Sequence, residues 1–185
     1  MSQPRHCLVT GANRGLGLEF VRQLLAAGDH VIATCRHPGR ATALNTLTGE
    51  HPSRLHVLPL DLAEPRTHAE LARELPLVLG ADGAVVVNMS SRLGSIASVE
   101  GFNTPTYAIS KAALNMATVL LARALAERGI TVIAVSPGWV RTDMGGKDAP
   151  VEPVDSVAGL LAQVERATLA DSGRFIDYRG EAIDW

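Results

Sequence analysis

The sequence predicts an α/β fold in which helices cover both faces of a mainly parallel sheet, built as a single domain over residues 1–185. Three observations carry this. Short β-leaning apolar segments alternate with segments of helical apolar spacing, the pattern of strand–helix–strand units. A glycine-rich loop separates the first such strand from the first such helix. Later, a long apolar helix leads into another fully apolar strand pattern. With 185 residues, 46% of them hydrophobic and 19% charged, the chain can bury a sizeable core.

The elements follow in order. Residues 7–10 are short, apolar and β-leaning, and the loop from Gly11 to Gly17 comes next. Leu16, Phe20, Val21, Leu24 and Leu25 recur at helical spacing, and Gly28 follows as a stop. Residues 30–35 read as a second strand, 40–47 as a short helix, 55–60 as a third strand ending at Asp61, and 67–75 as a second clear helix. Residues 84–89 form the next apolar strand. Thr104-Pro105 supplies a cap and a first-turn proline for a helix that stops near Gly129. Residues 131–135 read as a buried strand and 155–168 as an amphipathic helix with Asp155 or Ser156 near its cap. Residues 175–178 read as the last strand.

Composition narrows the function classes. A formal net charge of −2 provides no electrostatic footprint for nucleic acid or an anionic membrane. No apolar run reaches the length of a membrane span, and the N-terminal residues lack the pattern of a signal peptide. Cys7 and Cys35 form no C-x-x-C; on neighbouring parallel strands they fall at opposite strand ends, too far apart for a disulfide. Reduced thiols predict a cytoplasmic protein. His6, His30, His37, His51, His56 and His68 show no metal-ligand spacing, so no metal site is expected.

The loop Thr10-Gly11-x-x-x-Gly15-x-Gly17 predicts phosphate binding. Glycines between a strand and a helix let the backbone turn tightly and approach a pyrophosphate, whose charge the helix N-terminus meets. A tight turn can use glycine for its shape alone, but the strand–loop–helix setting favours a dinucleotide. Arg14 lies in this loop and Arg36 follows the second strand, where an acidic residue would bind the ribose of NAD. Cys35 and Arg36 supply no carboxylate, and basic groups suit the 2′-phosphate of NADP, leaving NAD the less favoured cofactor.

Tyr107 and Lys111 stand four residues apart in a helix-favouring stretch and so share one helix face. A cationic Lys beside a phenol favours the phenolate, and such a phenol can exchange a proton with a substrate oxygen. A surface pair has the same spacing, so the pair gains meaning from its company. Thr10-Gly11-x-x-x-Gly15-x-Gly17, Asp61-Leu62, Asn88-Met-Ser90-Ser91, Tyr107-x-x-x-Lys111 and Pro137-Gly138-Trp-Val140-x-Thr142 occur in this fixed order. Together they resemble the short-chain dehydrogenase/reductase family. Ser91-Arg-Leu-Gly94-Ser95 and the tail from Ser172-Gly173 to Trp185 resemble its C-factor (C-signal) branch.

The resemblance implies a Rossmann-like, doubly wound sheet and a reductase site. Tyr107 would be the catalytic acid, Lys111 its charge partner and the holder of the nicotinamide ribose, and Ser91, ahead of Ser90, the donor to the substrate oxygen. Gly11, Asn13, Arg14, Gly15, Leu16 and Gly17 would surround the phosphates. Asp61 and Leu62 would lie near the adenine, and Pro137, Gly138, Val140 and Thr142 would border the nicotinamide. The substrate would be a small-molecule carbonyl compound or alcohol. Trp139 and Trp185 serve packing as readily as a substrate mouth, and neither is counted in the site.

The departure from the family lies between Leu71 and Val87. The family's Asn-Asn-Ala-Gly strand and the helix that follows, with its catalytic Asn, are absent. A strand-plus-helix crossover needs about 30 residues, more than this gap holds, so the sheet is expected to be shortened by about one strand–helix unit. Residues 76–79 read equally as a strand stub or as a frayed helix end, since Pro76 disfavours helix continuation. Without a paired stub, residues 84–89 must dock on the first strand or leave backbone groups unpaired. The Tyr107 helix is apolar nearly all round, from Ile109 through Met116 and Leu120 to Leu125. Such a helix wants burial on more than one side, which predicts a sticky chain or a homo-oligomer. Three readings follow: an NADP-dependent carbonyl reductase, a C-factor-like signalling or nucleotide-binding protein with little catalysis, and a shortened product whose sheet supports no enzyme.

Overall fold

The computed structural model describes residues 4–74 and 84–185. The stub proposed at 76–79 and the last residue of the predicted helix 67–75 lie outside the described residues. The chain forms two compact units, Met1–Gly80 and Ala81–Trp185.

The first unit runs β1 (His6–Thr10), α1 (Gly15–Ala27), β2 (His30–Cys35), α2 (Thr42–Glu50), β3 (Leu55–Pro59) and α3 (Pro65–Glu74). Its strands are parallel in the order β1-β2-β3, with His6 opposite His30 and Val31 opposite Leu55. Leu18, Val21, Leu24 and Leu25 are the buried residues of α1, one stripe at helical spacing, whereas Leu16 and Phe20 are half-buried at its edge. Gly28 ends α1 at φ 95°, a left-handed turn that lets its N–H reach the carbonyls of Leu24 and Leu25. Two predicted helices shift. A 3₁₀ turn over Pro38–Arg40 takes the place of the predicted start at 40, so α2 runs Thr42–Glu50. In α3, Pro65 occupies the first turn, where its missing N–H costs nothing, and the helix begins ahead of 67.

The thiols of this unit are free, with Cys35 buried and Cys7 half-buried. Burial pushes the Cys7 thiol up from 9.0 to about 11; the Asp29 carboxylate adds to this and Arg5 opposes it. Folded Cys7 therefore stays protonated where the unfolded chain ionises. Its contribution to stability is full below pH 9.0 and is lost as pH rises toward 11. At pH 8 both thiols are expected to react with a thiol reagent much more slowly in the native than in the urea-unfolded chain, a difference read by absorbance. Equal rates would contradict the burial. The same corner is held by Arg5, whose guanidinium donates to Asp29 at 2.7 and 3.1 Å.

The second unit runs β4 (Val85–Met89), a 3₁₀ turn (Arg92–Gly94), α4 (Pro105–Leu125), β5 (Thr131–Ser136), α5 (Pro153–Arg166) and β6 (Phe175–Asp177). Its strands are parallel in the order β4-β5-β6. The middle strand β5 is buried at every residue, and Ala134, Phe175 and Ile183 form a core cluster. Pro153 opens α5 with Glu152 as the cap residue, ahead of the predicted Asp155 or Ser156, because proline suits a first turn. Thr104 precedes α4 but does not cap it with its side chain. At φ 44° and ψ 51° it is left-handed, and no side-chain cap bond forms. Past Leu125 the helix tightens into a 3₁₀ turn and stops at Gly129, φ 67°.

The single sheet predicted from the sequence is, among the described residues, two three-stranded parallel sheets. β1 pairs only with β2 and β4 only with β5 among those residues, and both edge strands are mostly half-exposed.

Helix α4 inverts the usual pattern. Its buried residues are Asn115, Thr118 and Ala122, while Ile109 is 69%, Met116 61% and Leu120 59% exposed. The stretch Pro105–Arg128 is long and apolar enough to cross a membrane, against the expectation of no such run. Here its polar row packs on the sheet, and α4 lies against β5 and the 3₁₀ turn Arg92–Gly94.

Candidate active site

In the second unit the site grows from the carboxyl ends of β4 and β5. The Lys111 Nζ donates to the Met89 carbonyl at 2.8 Å, tying α4 to the end of β4 two residues before Ser91. One turn further, Asn115 accepts from the Ser90 hydroxyl at 2.6 Å and donates to the Gly94 carbonyl at 3.1 Å. The next polar residue of the row, Thr118, accepts from Asn88 Nδ2 at 2.9 Å. These bonds fix the register of α4 on β4. They also separate the two serines. Ser90 is buried and committed to Asn115, whereas Ser91 is half-buried and, among the described residues, its hydroxyl oxygen accepts the Leu93 N–H at 3.3 Å.

Tyr107 lies one turn before Lys111, half-buried, with the Lys111 ammonium 5.5 Å from its ring centroid. Its hydroxyl makes no hydrogen bond among the described residues. Burial lowers the Lys111 pKa, so the ammonium is held at a desolvation cost. The Arg92 N–H donates to Ser136 Oγ at 3.2 Å, linking the segment after β4 to the end of β5. There Pro137 is held by the Ser156 hydroxyl, which donates to its carbonyl at 2.7 Å. Gly138 turns at φ 82°, and a Cβ on it would stand 3.0 Å from the Tyr178 ring. Val140 is buried and bridges to Val151, and Thr142 Oγ1 accepts the Gly145 N–H at 3.2 Å.

The first unit carries the glycine loop at the carboxyl end of β1. Gly11 and Gly15 are left-handed at φ 65° and 54°. The buried Ala12 donates its N–H to the Thr34 carbonyl at 2.9 Å, pinning the loop to β2. Helix α1 starts at Gly15 after the extended Arg14, with no side-chain cap bond and no acidic residue in its first turn. Asn13, Arg14 and Gly15 are exposed and Leu16 and Gly17 half-buried around this helix start. An uncapped N-terminus on a close-turning glycine loop fits the pyrophosphate of a dinucleotide. Arg36 is exposed immediately after β2. Asp61 follows β3 with one carboxylate oxygen accepting the Ala63 N–H at 3.0 Å, and Leu62 beside it is 82% exposed.

Gly17 is the tightest point of the loop, since a Cβ there would lie 2.4 Å from the Gly11 carbonyl oxygen. Gly17→Ala must displace backbone. It is expected to weaken NADPH binding about 5- to 150-fold, as a steric cost of about 1–3 kcal/mol implies. Fluorescence titration reads this, and unchanged affinity would exclude the loop from the site.

Parallel strands flanked by helices, a glycine loop at the first strand's carboxyl end and a Tyr–Lys pair at a later one define a nucleotide-dependent oxidoreductase type of α/β protein. A model of the short chain dehydrogenases matches residues 5–80, and a model described as enoyl-(acyl carrier protein) reductase matches residues 69–173. The chain belongs to the short-chain dehydrogenase/reductase family. It is 41% identical over 100 residues to the C-signal of Myxococcus xanthus, a match spanning 54% of this chain and 60% of the C-signal. To 1-hydroxy-2-glutathionyl-2-methyl-3-butene dehydrogenase of Rhodococcus sp. (strain AD45) it is 26% identical, covering 96% of this chain and 98% of that one. Among solved structures it resembles the carbonyl reductase Sniffer of D. melanogaster, with a TM-score of 0.92, 26% identity and full coverage of both chains. The NADPH-bound carbonyl reductase from chicken fatty liver matches with a TM-score of 0.87, 30% identity and full coverage of both chains.

Asn115 is a polar anchor outside the predicted site residues, and its partner Gly94 enters the sequence analysis only within the Ser91-Arg-Leu-Gly94-Ser95 motif. Asn115 was detectable, since Tyr107, Lys111 and Asn115 repeat at four-residue spacing within an otherwise apolar helix. Gly94 sits in a short turn and gives no periodic signal.

Proposed function

We propose that this chain is an NADP-dependent oxidoreductase that reduces a small-molecule carbonyl compound, or oxidises the corresponding alcohol, with Ser91, Tyr107 and Lys111 as its catalytic set. The observation that carries this is the Lys111 ammonium, anchored to the Met89 carbonyl at 2.8 Å and 5.5 Å from the Tyr107 ring. The cofactor supplies hydride chemistry when bound. Tyr107 Oη gives its proton to the carbonyl oxygen as the carbonyl carbon is reduced, and solvent restores that proton. Lys111 favours the phenolate left behind, and Ser91 Oγ donates to the substrate oxygen. Gly11, Asn13, Arg14, Gly15, Leu16 and Gly17 would take the phosphates, Arg36 the 2′-phosphate, and Asp61 and Leu62 the adenine end. Pro137, Gly138, Val140 and Thr142 would border the nicotinamide, beside Tyr107 and Lys111.

NADPH titration followed by a panel of aldehydes and ketones tests the reading, with Tyr107→Phe as control. Binding with turnover lost in the variant supports it. Binding without any turnover favours the second reading, a C-factor-like signalling or nucleotide-binding protein. That reading draws support from the edges of β1 and β4, which have no second partner among the described residues. The exposed apolar residues of α4 support a homo-oligomer, whose mass in light scattering exceeds that of one chain. The free thiols Cys7 and Cys35 support a reducing, cytoplasmic setting, and the net charge of −2 argues against nucleic acid and membrane partners.

A further inference from the structure

Two glycines of the second unit leave a slot that one aromatic ring fills. A Cβ on Gly138 would stand 3.0 Å from Tyr178 Cε1 and 3.3 Å from Cδ1. A Cβ on Gly159, in α5, would stand 3.2 Å from Tyr178 Cδ2. The ring therefore lies with one edge on the turn after β5 and the other on the helix that follows. Any side chain at either glycine would crowd it, and Gly138 needs glycine a second time for its φ of 82°.

The tail brings the ring to this slot and holds it there. After β6 the chain doubles back. The Asp177 N–H donates to the Glu181 carbonyl at 2.9 Å, the Gly180 N–H to the Asp177 carbonyl at 3.0 Å, and the Ile183 N–H to the Phe175 carbonyl at 2.9 Å. One Asp177 carboxylate oxygen accepts the N–H groups of Arg179 and Glu181 at 2.9 and 3.0 Å, and the other faces Arg92 at 3.9 Å. The last residues tie this hairpin to the segment after β4. The Ser95 hydroxyl donates to the Asp184 carbonyl at 2.6 Å, and the Ala97 N–H donates to the Trp185 carbonyl at 3.0 Å. Trp185 thus latches the segment bearing Ile96 and Val99, while its indole stacks on Phe175 with ring centroids 5.4 Å apart.

The turn that Tyr178 touches is anchored at both flanks. The Pro137 carbonyl accepts the Ser156 hydroxyl at 2.7 Å, and the Trp139 carbonyl accepts the Val151 N–H at 3.2 Å. Gly138 lies between these anchors, with the fewest steric restraints of any residue type. The Tyr178 ring supplies the missing restraint, since a close-packed contact blocks movement in its direction. The hydroxyl is not part of it. That group accepts from Arg179 Nε at 2.9 Å, an exposed bond, and what meets the turn is the apolar edge of the ring.

We infer that Tyr178 is a positioning residue: its ring, wedged between Gly138 and Gly159, holds the Pro137–Gly138 turn where that turn borders the nicotinamide. It acts through the turn and moves no proton. The inference rests on the reductase reading above. Without the ring the turn relaxes into the space left behind, and a shift of about 1 Å at the reacting groups can cost 10²-fold in rate. The adenine end of the cofactor, met by the glycine loop and Arg36 in that reading, keeps its contacts.

The test compares Tyr178→Ala and Tyr178→Phe with the native full chain. It reads kcat/KM with NADPH and a ketone that the native chain reduces, and binding of NADPH and of 2′,5′-ADP, a fragment without nicotinamide. Tyr178→Leu takes the place of Tyr178→Ala if urea unfolding shows the latter unfolded. The expected result is a fall in kcat/KM of about 10²-fold in Tyr178→Ala with weaker NADPH binding, near-native values in Tyr178→Phe, and equal 2′,5′-ADP affinity in all three. Native rates in Tyr178→Ala, or a Tyr178→Phe as impaired as Tyr178→Ala, overturn the inference. So does a loss of 2′,5′-ADP affinity in step with that of NADPH, which marks general damage. If the native chain itself reduces no ketone, the reductase reading fails. Hydrogen exchange over residues 137–142 then decides the wedge. Faster exchange in Tyr178→Ala with native exchange in Tyr178→Phe upholds it, and equal exchange in all three overturns it.

Discussion

Replacing Tyr107 by Phe is expected to lower kcat for carbonyl reduction about 10²–10⁴-fold, the usual contribution of a positioned acid, while NADPH affinity falls far less. The argument is local. The variant removes only the hydroxyl. The ring keeps its place in the first turn of α4, and Lys111 keeps both its 2.8 Å bond to the Met89 carbonyl and its position 5.5 Å from that ring. Because the Tyr107 hydroxyl has no protein partner among the described residues, its loss leaves no buried donor or acceptor unpaired, and stability in urea should change little. Lys111→Met offers a contrast. It removes both the charge and the anchor to Met89, so it should lower the rate and also loosen α4 on β4. Undiminished turnover in Tyr107→Phe would remove Tyr107 from the chemistry.

The second large effect is expected at Gly94. A Cβ there would stand 2.7 Å from Lys111 Cβ, 2.8 Å from the Lys111 carbonyl carbon and 3.0 Å from the Ala112 nitrogen. Two of these are backbone atoms of α4, so no side-chain rotation relieves the overlap. Gly94→Ala must lift the 3₁₀ turn from the helix and strain the 3.1 Å bond from Asn115 Nδ2 to the Gly94 carbonyl. Overpacking of this kind costs about 1–3 kcal/mol. Displacing Lys111 by about 1 Å can cost 10²-fold in rate. Gly101→Ala is the control, since its Cβ would meet nothing nearer than Asn103 Nδ2 at 3.5 Å. Urea unfolding and steady-state rates on the pair separate the effects. Equal stability and rates for the two variants would contradict the close approach of turn and helix.

Much of the fold was legible because burial imposes periodicity. Val21, Leu24 and Leu25 recur on one face of α1 and are buried there, and Gly28 turns left-handed where a helix stop was read. Helix starts were less legible. Pro65 and Pro153 move two of them, because proline settles into a first turn and decides the register that apolar spacing leaves open, while Pro38 opens a separate 3₁₀ turn ahead of α2. Thr104 has the chemistry of a cap, yet its left-handed backbone forms no side-chain cap bond. The preference for Ser91 over Ser90 was already in the sequence motif, and the structure adds that the Ser90 hydroxyl is engaged by Asn115.

The α4 face shows the same boundary from another side. Its near-uniform apolar character was plain in the residues, and so was the want of a second covering surface. That the sheet would take Asn115 and Thr118 inward and leave Ile109, Met116 and Leu120 outward was not. The polar row has specific partners at 2.6–2.9 Å, Asn88 on β4 and Ser90 just after it, and directional hydrogen bonds set an orientation that non-directional apolar burial cannot.

The sequence by itself determined the strand–helix alternation, the glycine loop, the Tyr107–Lys111 pair and the shortfall between Leu71 and Val87, because each is written in local spacing or in residue type. Only the tertiary structure decided that the strands form two three-stranded sheets among the described residues, that Lys111 is anchored on Met89, and that Trp185 latches the segment bearing Ile96 and Val99. Those are contacts between residues far apart in the chain, and no local propensity encodes which of several chemically equivalent partners lies within hydrogen-bonding reach.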